Sequence, residues 1–482
     1  MKTTTTPTPT HPFLFSALAH NTKARTIADC HIQGRIPTEL EGTLYLNGPG
    51  IFTRGEHSKK SILDGDGIIQ KLNLTNGRAH YSRRFVQTEK LIAEENRQEF
   101  LYPTWTTKSS TVLSNVGGRI KSQAGITVTL FKNQLYALDE VAPAYRLDPQ
   151  TLETLGTAHF HLPDKDQAIK AHTRYLPKSK SWLLASTRMG RHGMSIDFIR
   201  HYANGQFKKT PTVISPRMVY FHDFAATERF ALVILQPAFI RPFKFLSGQI
   251  SFKEALDWQP DKGNIILIID LETGAQQKFT APSAWVWHIA NAYEYSNQLI
   301  MDFVGYDNPE HFLGPDAQLS AIIKGQAGNP GAPGTLRRYV INTHNGQLKQ
   351  EVIAAGSYEF PNIAPESSGQ HHHTIYATRG VTEKGIFHHQ IAAVQADTGQ
   401  LELFDFGPET NVLEPVYAYS RTNTNGKAWL ITQFLDSRHN RSGFAILDAR
   451  QLAEGPIAVI TLDETLPMSF HGQWVAGSLS HD

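Results

Sequence analysis

Four segments of this chain repeat one device: an apolar strand, a tight turn closed by glycine, and a second strand. They are IIQKLNLTNGRAHYSRRF (68–85), NIILIIDLETGAQQKF (264–279), RRYVINTHNGQLKQEVI (337–353) and IAAVQADTGQLELFDF (391–406). The triplets TNG, ETG, HNG and DTG place glycine where a hairpin turn requires positive φ. YRLDPQTLETLG (145–156) and FAILDARQLAEGPIAVI (444–460) are looser versions of the same unit. Hairpins distributed along the whole chain, with few amphipathic helical patterns between them, point to an all-β fold. A propeller blade of four strands takes roughly 40 to 50 residues, so 482 residues accommodate about seven blades and several long loops. A pair of stacked sandwiches is the competing all-β arrangement, and it lacks the central linker it would need. The expected organisation is a leader over residues 1–20 and a single β-propeller over 21–482. Two stretches, 236–263 and 308–334, read as long excursions from the blades, where functional groups on a rigid scaffold tend to sit.

Composition excludes several partners. With 46 Lys+Arg against 44 Asp+Glu the formal charge is only +2, and no basic tract suggests nucleic acid. Cys30 is the single cysteine and has no partner for an internal disulfide. MKTTTTPTPT at the start is a Thr/Pro run without a secretory apolar region. No apolar run reaches the roughly 18 to 20 residues of a membrane-spanning helix. No feature of the sequence sets an oligomeric state.

Among 22 histidines, four share a strand-like setting beside aromatic or small residues: His172 in IKAHTRYL, His222 in VYFHDFAATE, His288 in WVWHIANAYE and His471 in MSFHGQWV. A buried imidazole must satisfy both ring nitrogens, through hydrogen bonds or a metal. Taken singly, each is well explained as a satisfied core histidine. Separations of 50 residues or more rule out the paired ligands of one helix, so these rings could meet only where blades converge on an axis. Four neutral imidazoles suit Fe(II), Zn(II) or Cu(II), and iron with open positions gives such a site a reaction to perform. Glu140, Glu359 and Glu414 lie in apolar contexts that demand a cationic or N–H partner, as the carboxylates that orient metal-bound histidines do. HHH at 371–373 and HH at 388–389 are expected to be bland, because adjacent strand residues point to opposite faces. The glycine-rich stretch 46–67 fits neither a Walker loop nor a dinucleotide fingerprint and reads as a turn-rich connection.

The ordered set IPTELEGTLYLNGPG, DGDGIIQKL, SRRFVQTEK, AHTRYLPKS, FHDFAATE, WHIANAYE, YEFPNI, LEPVY and FHGQWV resembles the carotenoid cleavage oxygenases. That family includes apocarotenoid oxygenases, lignostilbene dioxygenases and the retinal pigment epithelium isomerase. The resemblance spans nearly the whole chain. It implies a seven-bladed propeller with an axial non-haem Fe(2+) on His172, His222, His288 and His471, under a dome that covers an apolar tunnel. It also implies that Glu140, Glu359 and Glu414 orient the second, third and fourth histidines, leaving His172 without a glutamate. The implied reaction is cleavage of a conjugated double bond of a carotenoid or apocarotenoid by O2 to two carbonyl products. Stilbenoid cleavage and isomerisation are alternatives on the same scaffold, and a non-catalytic binding propeller is the alternative outside it. Stilbene-cleaving members carry lysine before the first glutamate to bind a phenolate, and this chain has Asp139, which is expected to repel one. Phe221, Trp287, Phe303 and Phe470 are the aromatic candidates for the tunnel wall. IRPFKFLSGQISF (240–252) suits an interfacial patch at its mouth, so the expected location is cytoplasmic with peripheral membrane contact.

Overall fold

The computed structural model describes residues 23–27, 30–118, 120–162, 164, 167–190, 193–380, 388–421 and 426–477. The leader expected over residues 1–20 lies outside them. Seven antiparallel sheets of four or more strands form a seven-bladed β-propeller. From the second blade to the sixth, four strands run in chain order from the inner edge outwards, as in Phe224–Ala226, Phe230–Leu235, Asn264–Asp270 and Gln276–Ala281 of the fourth blade.

The glycine hairpins read from sequence are the connections between the third and fourth strands of their blades. Gly77, Gly274, Gly346 and Gly399 all have φ between 71 and 74° there. A side chain at those positions would strain the turn. Because each blade is sandwiched between two neighbours, its middle strands are buried on both faces. This is why Asn264–Asp270 reads NIILIID, a continuous apolar run without alternation. The core between the fourth and fifth blades, for instance, holds Leu232, Ile266, Phe279, Met301, Phe303 and Tyr339.

The ring closes by mixing the two ends of the chain. His471–Ala476 forms the innermost strand of the first blade, paired with Gly42–Pro49 from Asn47↔His471 to Gly42↔Ala476. At the outer edge of the last blade, His31–Gly34 pairs with Pro456–Thr461. An up-and-down blade whose inner strand starts at one axial end must send its second-to-third-strand loop, and its exit to the next blade, from that same end. The long connections obey this. Residues 86–126 leave the first blade, and 236–263 and 306–334 interrupt the fourth and fifth blades between their second and third strands. They carry the short helices Glu89–Arg97, Val112–Asn115, Pro242–Leu246, Phe252–Ala255, Glu310–Leu313 and Gln318–Ala321. These connections build the expected dome at one end of the axis.

Gly472 is a tight point of the closure. A Cβ there would fall 2.3 Å from Leu46 Cδ2 and 2.6 Å from the Tyr45 carbonyl. Gly472→Ala is therefore expected to lower unfolding stability by about 1–3 kcal/mol in urea titrations, by overpacking the clasp; an unchanged midpoint would show the closing strand to be loosely held.

Candidate metal centre

The four histidines occupy equivalent places in four blades. His172, His222 and His288 stand one or two residues before the inner strands Arg174–Leu176, Phe224–Ala226 and Ile289–Tyr295, and His471 opens the inner strand His471–Ala476. All four therefore emerge at the dome end of the axis; His172, His222 and His471 are buried, and the His288 side chain is only 12% exposed. Their ligand atoms lie within 4.8 Å of one another, so the structure brings together the whole set proposed from sequence.

The remaining three blades supply carboxylates to the same end. Glu359 lies in the inner strand Ser357–Asn362, Glu414 precedes Val416–Tyr419, and Glu140 follows Gln134–Leu138, a second strand that returns towards the dome. His222 Nδ1 is paired with Glu140 Oε1. His288 Nδ1 meets Glu359 Oε2 at 2.5 Å and His471 Nδ1 meets Glu414 Oε1 at 3.1 Å. A proton on Nδ1, donated to carboxylate, leaves Nε2 as the free base pointing inwards. His172 lacks a glutamate partner, and its Nε2 sits 3.0 Å from His222 Nε2. Two nitrogen lone pairs at that separation repel unless a proton or a cation lies between them.

Several residues that brace this arrangement were not legible in the sequence. Lys170 Nζ donates to Glu140 Oε2 at 2.6 Å and to the Phe221 carbonyl at 2.5 Å. Tyr306 Oη donates to Glu359 Oε1 at 2.8 Å, and Tyr220 Oη lies 3.3 Å from Glu140 Oε1. Burial, together with the adjacent carboxylates, pushes both phenols well above their usual range, so each remains an O–H donor. Burial alone would raise the glutamates; for Glu140 the charges of His222 and Lys170 outweigh it and hold the carboxyl below its usual value. The same contest, settled by His288, Phe360 N–H and Tyr306, takes Glu359 down to about 2. Asp223 ties three blades together beside the ligands: it accepts from Arg174 Nη2 at 2.7 Å, from Phe224 N at 2.7 Å and from Ile289 N at 2.8 Å. The left-handed backbone of Phe360 (φ 51°) belongs to a register break after Glu359 that turns the Phe360 ring onto His288, 5.3 Å away.

The donor set fits a divalent cation on chemical grounds. Burial and the three neighbouring imidazoles hold His172 well below its usual value, so it resists protonation and stays a Lewis base. With neutral imidazoles, the three outer carboxylates would be balanced by the Lys170 ammonium and one doubly charged ion. Without that ion the centre would carry uncompensated negative charge in a buried setting, which is costly.

A cavity of about 250 Å³ opens onto three of the rings, lined by His222, His288 and His471 with Ile62, Leu319, Ile322, Phe360, Met468 and Phe470 among its apolar walls. Leu319 and Ile322 come from the dome excursion 308–334, which thus covers the centre. Trp287 and Phe470, two of the four aromatic candidates, line this cavity. Phe221 and Phe303 do not. Phe303 is turned into the core between blades, its ring 4.6 Å from Tyr339, because second-strand residues alternate between the two blade faces rather than facing the axis. Phe221 packs between the third and fourth blades under Lys170 Nζ, 4.7 Å above its ring, and borders a separate cavity of about 160 Å³.

Three further expectations need correction. Asp139 does not face a ligand: its carboxylate accepts from the amides of Gln123 at 2.8 Å and Glu140 at 2.6 Å, so it offers no repulsion to a phenolate. His388 of the HH pair lines the cavity. In the HHH run, which precedes the strand Thr374–Gly380, the rings of His371 and His373 lie 4.7 Å apart and join Asp397 in a group whose ligand atoms lie within 4.8 Å. That exposed trio sits by a third-to-fourth-strand turn, at the axial end away from the dome.

The chain matches the family described as retinal pigment epithelial membrane protein over residues 17–476. Among curated relatives it is 24% identical to the apocarotenoid-15,15'-oxygenase of Synechocystis sp., with 92% of each chain covered. It is 25% identical to resveratrol cleavage oxygenase 1 of Aspergillus fumigatus, covering 94% of this chain and 93% of that one. Among solved structures, cobalt-substituted Synechocystis apocarotenoid oxygenase superposes with a TM-score of 0.89 at 23% identity, covering 97% of this chain and 99% of that one.

If the glutamates hold the imidazoles in their binding tautomer, Glu359→Gln weakens metal binding by about 10- to 100-fold in a chelator competition. Affinity equal to that of the unsubstituted protein would remove Glu359 from this role.

Proposed function

We propose, because this chain belongs to the retinal pigment epithelial membrane protein family and is an oxygenase, that it cleaves a conjugated carbon–carbon double bond of a carotenoid or apocarotenoid with O2 to give two carbonyl products. His172, His222, His288 and His471 would hold ferrous iron, with Glu140, Glu359 and Glu414 as the carboxylates that orient three of them. Bound iron would supply the one-electron chemistry that lets O2 react with an alkene. The observation that carries this reading is a mainly apolar cavity with three of the four clustered imidazoles in its wall.

The chain's own residues do the rest. Glu140, Glu359 and Glu414 fix ring orientation, while Tyr220 and Lys170 hold the Glu140 carboxylate, Tyr306 that of Glu359 and the Gly472 N–H that of Glu414. Trp287, Phe360 and Phe470 present flat faces to a conjugated chain and exclude water from the bond to be cut. No side chain need act as a general acid or base. Cleavage of a stilbenoid is the second reading. It is favoured by likeness to the resveratrol-cleaving relative and by the orientation of Asp139, whose carboxylate is taken up by backbone amides.

An insoluble polyene must be taken from a membrane, and one surface suits that task. Phe243 and Leu246 on Pro242–Leu246 are 88% and 46% exposed, and Leu113 and Val116 beside Val112–Asn115 are 83% and 47% exposed. The two segments touch through Gly117 N–H to the Leu246 carbonyl at 2.7 Å, so the four apolar side chains belong to one surface, with Lys244 on the same helix. No helix among the described residues is long and apolar enough to cross a membrane. Apolar side chains at a dome surface, flanked by a cation, fit shallow contact with a lipid headgroup layer.

Incubation of the iron-loaded protein with an apocarotenal and with a hydroxystilbene, under labelled O2, reads the reaction directly: two carbonyl products from the polyene, absent under nitrogen, are expected. Intact substrate of both kinds defeats the reading. For the surface, Phe243→Asp with Leu113→Asp is expected to lower retention on sedimented phosphatidylcholine vesicles at least fivefold; equal retention would place lipid contact elsewhere.

A further inference from the structure

The run HHH at 371–373 divides its three side chains between core and solvent. It lies in the connection between the inner strand Ser357–Asn362 and the second strand Thr374–Gly380 of the sixth blade. His372 is 2% exposed, its Nδ1 3.1 Å from the Asn291 amide nitrogen and its Nε2 3.1 Å from Asp302 Oδ2, both in the fifth blade. With the middle ring buried between blades, His371 and His373 are left on the surface. The Ala396 N–H donates to the His373 carbonyl at 2.7 Å, just beyond the Thr374↔Gln395 pair, and this brings Asp397 of the DTG turn beside the two rings. All three side chains are exposed, and one donor atom from each lies within 4.8 Å of the other two. An ion pair is a poor account of this spacing, because His371 Nε2 and Asp397 Oδ2 stand 3.4 Å apart, longer than a charge-assisted hydrogen bond. Two donors each about 2.1 Å from one ion, at the tetrahedral angle, stand about 3.4 Å apart.

We propose that His371, His373 and Asp397 bind one zinc ion, separate from the hub, with water completing its coordination. Two imidazoles and a carboxylate are donors that zinc takes with a position left open, whereas magnesium and calcium prefer oxygen throughout. The surroundings restrain the donors. Tyr293 of the fifth blade packs edge-on to the His371 ring at 5.1 Å. Arg338 commits Nε and Nη2 to Asp302 at 2.7 and 2.8 Å, so only its Nη1 reaches Asp397, on Oδ1 at 3.3 Å, and Oδ2 is left turned to His371. The guanidinium opposes a cation here, and its pairing with the buried Asp302 offsets that charge. The solvent-exposed His373 ring closes the remaining distance by a side-chain rotation. Two donors come from the connection that enters the blade's second strand and the third from the turn that leaves its third strand. The ion therefore clips both together at the axial end away from the dome, and its binding does not depend on the reaction proposed above.

The test is equilibrium dialysis of the iron-loaded protein, purified without a histidine tag and kept under nitrogen, against low-micromolar zinc, with zinc and iron counted per chain by elemental analysis. One zinc per chain is expected, with the iron retained. His373→Ala and Asp397→Asn, both at exposed positions, are each expected to weaken zinc binding about tenfold or more while iron content stays unchanged. Magnesium in the same dialysis is expected not to displace the zinc. Zinc is also expected to raise the midpoint of thermal unfolding of the unsubstituted protein, and to raise it less in either variant, as a ligand of the folded state does. No zinc retained, zinc that enters only as iron leaves, or zinc affinity unchanged in either variant overturns the proposal. A midpoint that rises equally with and without His373 and Asp397 overturns it as well.

Discussion

Four imidazole nitrogens held within 4.8 Å of one another, in a place too buried for water to screen them, are the constraint on which this structure turns. Such a group is unfavourable in isolation, since each ring has lost hydration and their lone pairs oppose one another. The propeller makes it tenable by geometry. Seven blades give seven positions facing one axial end, and the chain spends four on histidine and three on glutamate. No blade is idle. The glutamates settle the proton positions, Lys170 and the tyrosines settle the glutamates, and Asp223 locks three ligand-bearing blades at fixed spacing. The remaining charge deficit is that of a divalent cation, so the scaffold and the ion are parts of one electrostatic solution.

The blades were legible because a hairpin needs glycine at a positive-φ position and because sandwiched strands read as alternating or continuous apolar runs. All six strand–turn–strand units found in the sequence are third-to-fourth-strand hairpins, where turns are tight. The dome was visible only as long excursions, since five of its six α-helices are four or five residues long and too short to show a period. The four histidines stood out through their strand-edge contexts, and their assignment as a set came from resemblance to a family. Their supports did not stand out. Lys170, Tyr220, Tyr306 and Asp223 look in sequence like any lysine, tyrosine or aspartate, because their partners lie in other blades. Phe303 was misplaced by adjacency in sequence to apolar strand residues, whereas blade parity decides which face a side chain takes. His371 and His373 come together in the connection before the strand Thr374–Gly380, where strand parity does not apply.

The cavity combines mainly apolar walls with a smaller set of polar groups. Three of the four clustered imidazoles, His222, His288 and His471, stand in its wall. This division suits chemistry in which the metal supplies reactivity and the protein supplies position and dryness. It also explains the chemistry of the dome, which presents Leu319, Ile322 and His311 inwards and Phe243, Leu246 and Leu113 outwards. One insertion-built layer thereby serves both to enclose a substrate and to meet the phase from which it comes.

The central claim concerns a single ion at the hub. Crystals of protein purified without a histidine tag, measured on both sides of the iron absorption edge, test it most directly. The account predicts one anomalous peak per chain, enclosed by Nε2 of His172, His222, His288 and His471. No peak between those four rings, or iron found only at the exposed His371, His373 and Asp397, would contradict it.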